Sequence, residues 1–230
     1  MHLVPKDSRR APRASSAGAA WLLLLPLLAS AQGNKPLIDN DRVTVWDVTW
    51  EKNQPSFTGT GDRDAVTVYL SGGDFKTTAP DGKSRTITHK TGEAVFRPKG
   101  ARPSETWVGT GTPPRTTEIA LTDSDKRPAA NTSGYPLAFP RPGTKNLIDN
   151  DRVFVWDSRW QPGVPTSMHF HDKDVVVSYL EDGDLTSIAP DGKTVVNPYK
   201  FGVIRFTAGN RSHKEVLTKG TQRAIIVELK

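Results

Sequence analysis

The sequence predicts an all-β chain built as two similar small barrels or sandwiches in tandem, and three observations predict it. The segment LIDNDRVTVWDVTW at 37–50 recurs as LIDNDRVFVWDSRW at 147–160, an offset of 110 residues. Short runs rich in Val, Ile, Phe and Tyr, such as RVFVW, DVVVSYL, VIRF and RAIIVEL, are punctuated by Asp-Gly, Gly-Asp and Lys-Gly turns at intervals of about 8 to 12 residues. No stretch beyond the first thirty or so residues carries the 3.6-residue apolar period of a helix.

Taken in order, residues 1–31 read as a signal peptide: Lys6, Arg9, Arg10 and Arg13, then the apolar run AGAAWLLLLPLLA, then small residues ending at Ala31. The run is short and interrupted by Pro26, and no later stretch approaches the roughly 18 apolar residues of a membrane span. The expectation is cleavage after Ala31 and export of a soluble protein to the periplasm or the extracellular space, with no membrane association afterwards. Residues 34–122 form the first unit and residues 144–230 the second. From Leu37 to Lys83 the two align without a gap, with 24 of 47 positions identical. Units of this size point to duplication of a whole fold rather than to a solenoid. Residues 123–143, rich in Pro, Ser, Thr and Gly, read as the linker.

Composition excludes several classes of function. The chain has no cysteine, which removes disulfides, thiolate ligands and cysteine nucleophiles together. Its net charge of +6 falls to +3 once residues 1–31 are removed, leaving 27 basic against 24 acidic side chains. The two signs are interspersed, so no nucleic-acid partner is expected.

The sequence is sparing with histidine, yet PTSMHFHDKD at 165–174 places His169 and His171 one residue apart in a predicted strand. Strand side chains alternate, so the two imidazoles share a face. His213 follows 42 residues later. In the first unit Gly59, Gly61 and Ser104 stand opposite these three, so the histidines are lost as a set. Packing alone gives no reason for a joint loss, and a shared ion does.

On these residues the chain resembles the cupin superfamily, and all of it after the signal peptide looks like a bicupin. Gly163, His169, His171 and Gly183 match that family's first motif, and Gly202, Gly209 and His213 its second. Val176 stands where the first motif has glutamate, and Thr207 where the second has proline. The first unit keeps Gly92, Pro98 and Gly100 of the second motif but no ligand histidine. The resemblance implies two double-stranded β-helix (jelly-roll) barrels, the first without metal and in a structural or partner-facing role. It further implies that the second holds one divalent metal on His169, His171 and His213. Some cupins, the thiol dioxygenases among them, work with three histidines alone.

Asp174 is the candidate fourth ligand, competing with a role in orienting His171 or a plain surface turn. Glu215 shares strand parity with His213 and is a weak candidate general base. Imidazole suits Fe, Mn, Zn, Ni and Cu, so the sequence leaves the ion open. Trp156 and Tyr179 recur in the first unit as Trp46 and Tyr69, which favours barrel core. Arg205 suits either an anionic substrate or an outward position, and His89, alone before a turn, reads as a surface residue.

Two functional readings follow. One is an enzyme of oxygenase, isomerase or lyase type acting on a small polar or anionic molecule. The other is a non-catalytic metal or small-ligand binding module, a sensor or a store. Exposed sheet edges are compatible with a homo-oligomer.

Overall fold

The computed structural model describes residues 1–2, 35–54, 57–100 and 102–230, so the signal-peptide segment, apart from Met1 and His2, lies outside the described residues. The first eight strands are β1 (Ile38–Asp39), β2 (Val43–Thr49), β3 (Ala65–Tyr69), β4 (Gly73–Thr78), β5 (Ser84–His89), β6 (Ala94–Arg97), β7 (Ser104–Trp107) and β8 (Arg115–Leu121). They form a five-stranded sheet in the order β1-β2-β8-β3-β6 and a three-stranded sheet β5-β4-β7. The second set is β9 (Thr144–Asp149), β10 (Val153–Trp160), β11 (His169–His171), β12 (Val175–Tyr179), β13 (Gly183–Ile188), β14 (Thr194–Tyr199), β15 (Ile204–Thr207), β16 (Arg211–Gly220) and β17 (Gln222–Leu229). Their sheets run β15-β12-β17-β10-β9 and β11-β16-β13-β14. Sequence-distant strands such as β2 and β8 are neighbours, as two facing sheets of a jelly roll require. No described helix is long and apolar enough to cross a membrane.

The repeated sequence produces repeated local geometry. Asn40 Oδ1 accepts from the backbone N–H groups of Arg42 and Val43, and Asn150 Oδ1 does the same for Arg152 and Val153. Both APDGK turns close by a glycine N–H donating to the alanine carbonyl, with Gly82 and Gly192 at φ 84° and 83°. That left-handed conformation explains glycine at the same place in each copy.

The five-stranded sheets are buried on both faces, which is why their strands read as near-continuous apolar runs. Val43, Val45, Val66 and Ile119 of the first barrel join Val153, Val155, Val176 and Val227 of the second in one core between the barrels. The alternate residues face the two lumens: Trp46, Trp50 and Tyr69 in the first barrel, Trp156, Val177 and Tyr179 in the second. A fully buried Val, Leu or Ile contributes roughly 1.5–3 kcal/mol, so the shared core binds the barrels firmly.

Polar contacts cross the same interface in pairs. Arg42 Nε lies 3.3 Å from Asp174, and its repeat equivalent Arg152 lies 3.0 Å from Asp64. Arg115 pairs with Asp47 and reaches the Gly202 carbonyl, while Arg223 pairs with Asp157 and reaches the Thr91 carbonyl. The guanidinium of Arg223 occupies the space where Gly92 would carry a Cβ, and that of Arg115 does so at Gly202. The barrels therefore meet about a local two-fold axis.

Three expectations are corrected here. Gly59 and Gly61, opposite the strand histidines in the repeat, lie in turns, so among the described residues no strand of the first barrel takes the place of β11 there. Ser104 pairs with Thr78, whereas Lys214 pairs with Ile188, so the structural counterpart of His213 is Pro103 rather than Ser104. His89 is buried and stacks on Tyr69 with ring centroids 4.0 Å apart.

Candidate metal centre

The centre sits where β11 pairs with β16. Their antiparallel register sets His169 directly opposite His213, and His171 opposite Arg211. Alternation along β11 sends both its histidines inward and leaves Phe170 on the other face. There the backbone N–H of Phe170 donates to the Pro136 carbonyl, and its carbonyl accepts from Ala138. His169 and His171 are buried, and the three rings form a near-equilateral triangle with centroids 4.8 to 5.1 Å apart. One ring nitrogen from each histidine lies within 4.8 Å of the other two.

Hydrogen bonds orient two of the rings for ligation. Arg141 Nη1 donates to His169 Nε2 at 2.9 Å, so Nδ1 carries the proton, which it donates to the Ser167 carbonyl at 2.8 Å. Arg211 Nη1 donates to His213 Nε2 at 3.1 Å, and Nδ1 then donates to Ser187 Oγ at 2.8 Å. Both rings thus present an Nε2 lone pair to the common centre while a fixed group holds the other nitrogen, an arrangement typical of metal-ligating histidines. His171 Nε2 lies 3.1 Å from His213 Nε2, a separation compatible with two ligands each about 2.1 Å from one ion. His171 Nδ1 is buried without a hydrogen-bond partner among the described residues.

The electrostatics keep the histidines neutral, as ligation requires. Burial, then the neighbouring Arg141, lowers His169 to about 4. Burial lowers His213 to about 4 as well, and it pushes His171 well below the usual imidazole range. Glu215 joins the cluster on the His213 side: its carboxylate accepts from Trp160 Nε1 at 3.0 Å and from Arg141 Nη2 at 3.3 Å. Burial would raise the Glu215 carboxyl, but His213 and Arg141 outweigh it and hold it below the ordinary value.

Asp174 is not in this group. Lys126 Nζ binds its two oxygens at 3.0 and 2.9 Å, the Gly209 N–H donates to Oδ1 at 2.8 Å, and Arg42 stands against Oδ2. The carboxylate is fully engaged as a strut between the barrels. Val176, at the position where the family's motif carries glutamate, packs in the core between the barrels, on the face away from the histidines. Arg205 is exposed and donates to the Tyr199 hydroxyl.

Arg141 lies within the 123–143 segment read as a linker, and the sequence offered no signal for it. Phe139 stacks on Trp156 at 5.2 Å, and the Arg141 guanidinium rests 4.8 Å from the Phe139 ring and 5.8 Å from Trp160. The end of the segment is thus pinned onto the second barrel. Beside it opens a cavity of about 300 Å³ lined by Arg141, Trp160, Val164, Thr166 and Ser167 among others. Arg141 therefore spans the cavity and the histidine cluster. Arg211 did carry a signal, since it shares strand parity with His213.

No family model matches the chain. Over 96 residues it is 32% identical to the beta-alanine degradation protein BauB of Pseudomonas aeruginosa, an alignment that takes in 42% of this chain and 95% of that protein. In fold it resembles oxalate decarboxylase of Bacillus subtilis, with a TM-score of 0.53 and 10% identity over 82% of this chain and 68% of that one. It also resembles AerE of Microcystis aeruginosa, with a TM-score of 0.55 and 11% identity over 83% of this chain and 88% of that one. A cupin 2 conserved barrel domain protein of Leptotrichia buccalis matches with a TM-score of 0.50 and 10% identity over 85% of this chain and 88% of that one. The fold and the histidine cluster define a double-barrel protein of the jelly-roll class. The chain belongs to the cupin superfamily.

Proposed function

We propose that the second barrel holds one divalent metal ion on His169, His171 and His213 and acts on a small carboxylate. The observation that carries this reading is the convergence of three neutral imidazoles on one point inside a buried lumen. Bound there, the ion would supply Lewis acidity to a substrate oxygen. The protein's own groups would do the rest. Arg141 and Arg211 already direct guanidinium N–H groups at two of the ligand nitrogens. Once those lone pairs are taken, both guanidiniums are free to orient an anion in the same lumen, which their planar fork suits. Glu215, held by Trp160 and Arg141, would accept a proton at its carboxylate.

Support for a metal-dependent reaction on a carboxylate also comes from the B. subtilis oxalate decarboxylase, which has Mn(II) centres. Mn is accordingly the first ion to test, with Fe, Zn, Ni and Cu after it. Export ahead of folding into this form, and assembly into a homo-oligomer, belong to the same proposal. N-terminal sequencing of the secreted protein and its mass in solution test those two parts.

The central experiment is metal analysis of the purified protein after repletion with each ion, repeated on His169→Ala and His171→Ala. One ion per chain, lost in both variants, is the expected result, and substoichiometric metal after every repletion would refute the site. A screen for oxygen uptake and for turnover of small carboxylates then separates an enzyme from a metal-stiffened binding module.

A further inference from the structure

The lumen of the first barrel is not a plain apolar core. Where Val177 and Ile226 face each other in the second barrel, Thr67 and Glu118 do so in the first, and Arg97 stands at the position of Thr207. Thr67 and Thr116 each donate to the Glu118 carboxyl at 2.8 Å, and Arg97 Nε donates to Thr67 Oγ1 at 3.0 Å. Arg97 Nη2 continues to Glu105 at 2.7 Å and to the Tyr69 hydroxyl at 3.2 Å. Burying such groups costs free energy that apolar residues would not. They border a cavity of about 330 Å³, lined among others by Trp50, Phe57, Thr67, Arg97, Arg102 and Glu118. Its size falls at the small end of ligand sites, which run from about 300 to 1,000 Å³.

One donor of this lining is left over. Arg102 Nη1 donates to Thr60 and Nε to the Pro98 carbonyl, but Nη2 is buried with no hydrogen-bond partner among the described residues. Arg97 is close enough for its charge, after burial, to weaken the protonated form of Arg102. We propose that this lumen binds a small hydroxylated carboxylate. Its anionic end would meet the free Nη2 of Arg102 near Arg97, its hydroxyls the threonine and Glu118 side, and its carbon frame Trp50 and Phe57. Burial raises Glu118 to about 7 against the pull of Arg97, with Glu105, Tyr69 and Arg102 the other charged or titratable groups acting on it. Below that pH the neutral carboxyl can donate to the ligand, and above it a second negative charge opposes an anion.

The test uses the full chain treated with chelator, so that no metal occupies the other barrel, and two lining variants separate binding in this lumen from binding at Arg141 and Arg211. D-gluconate and lactate are titrated calorimetrically at about pH 6 and again at about pH 8, on either side of the Glu118 value. The expected result is saturable binding of at least one probe, weaker at the higher pH. Arg102→Gln should lower affinity by about tenfold with unchanged melting, since the residue is only partly buried. Ser104→Trp, at an exposed lining position, should block entry. Glu118→Gln should flatten the pH dependence. No binding of either probe, or binding indifferent to both Arg102→Gln and Ser104→Trp, would overturn the proposal.

Discussion

Arg42 of the first barrel and Asp174 of the second form an ion pair that is almost wholly buried, with side chains 6% and 2% exposed. Arg42 also donates to the carbonyls of Lys126 and Lys230, and Asp174 accepts from Lys126 and the Gly209 N–H. One carboxylate therefore ties together the first barrel, the connecting segment and the second barrel.

Removing Arg42 leaves Asp174 with Lys126 and the Gly209 N–H but without its buried guanidinium partner. Arg42→Ala should therefore destabilise the chain by about 1.5–3 kcal/mol, the range for a lost bond to a charged group, read from denaturant unfolding. Its repeat equivalent Arg152, 31% exposed, should cost clearly less on the same measurement. Asp174→Asn should lower stability while leaving metal stoichiometry unchanged, and a fall in bound metal would return Asp174 to the ligand set.

Arg141 places positive charge beside all three histidines, and it neutralises Glu215. Arg141→Gln should then tighten divalent-metal binding by about tenfold, measured by competition with a chromophoric chelator. The same variant should lose affinity for a carboxylate substrate, so metal and substrate affinity move in opposite directions. A variant that weakens both would show that Arg141 serves to hold the fold.

Glu118 makes stability depend on pH in a stated direction. Its folded value of about 7 lies above the ordinary 4.5, so the folded state keeps a proton that the unfolded chain has released. The resulting stabilisation is complete below about 4.5 and is lost as the pH rises to about 7, on the order of 3 kcal/mol in all. Glu118→Gln should remove this slope from a series of melts between those values, and an unchanged slope would assign it elsewhere.

Gly92 and Gly202 have φ of 83° and 77°, and each leaves room for an arginine of the other barrel. Gly92→Ala and Gly202→Ala meet both obstacles, a left-handed backbone and a displaced guanidinium. Each should cost about 1–3 kcal/mol, and Arg223→Ala should relieve part of the cost of the first in a double-mutant cycle.

Much of this molecule is legible in its sequence because much of it is local. The DND turns, the APDGK turns and the strand runs depend on residues a few positions apart, so the duplication at 37–83 and 147–193 reappears as duplicated geometry. His169 and His171 share a face by strand alternation alone, and the loss of His213 with them in the first unit already marked a set.

What tertiary structure decided are relations between distant segments. Pairing of β11 with β16 put His213 opposite His169, and packing of Phe139 on Trp156 carried Arg141 into the centre from a segment with no periodicity of its own. Pairing of the barrels turned Asp174 from a candidate ligand into a buried strut with Arg42, 132 positions away in the chain. Alternation and turn chemistry are fixed by neighbours in sequence, whereas the partner of a buried charge is fixed only once sheets have registered and excluded water.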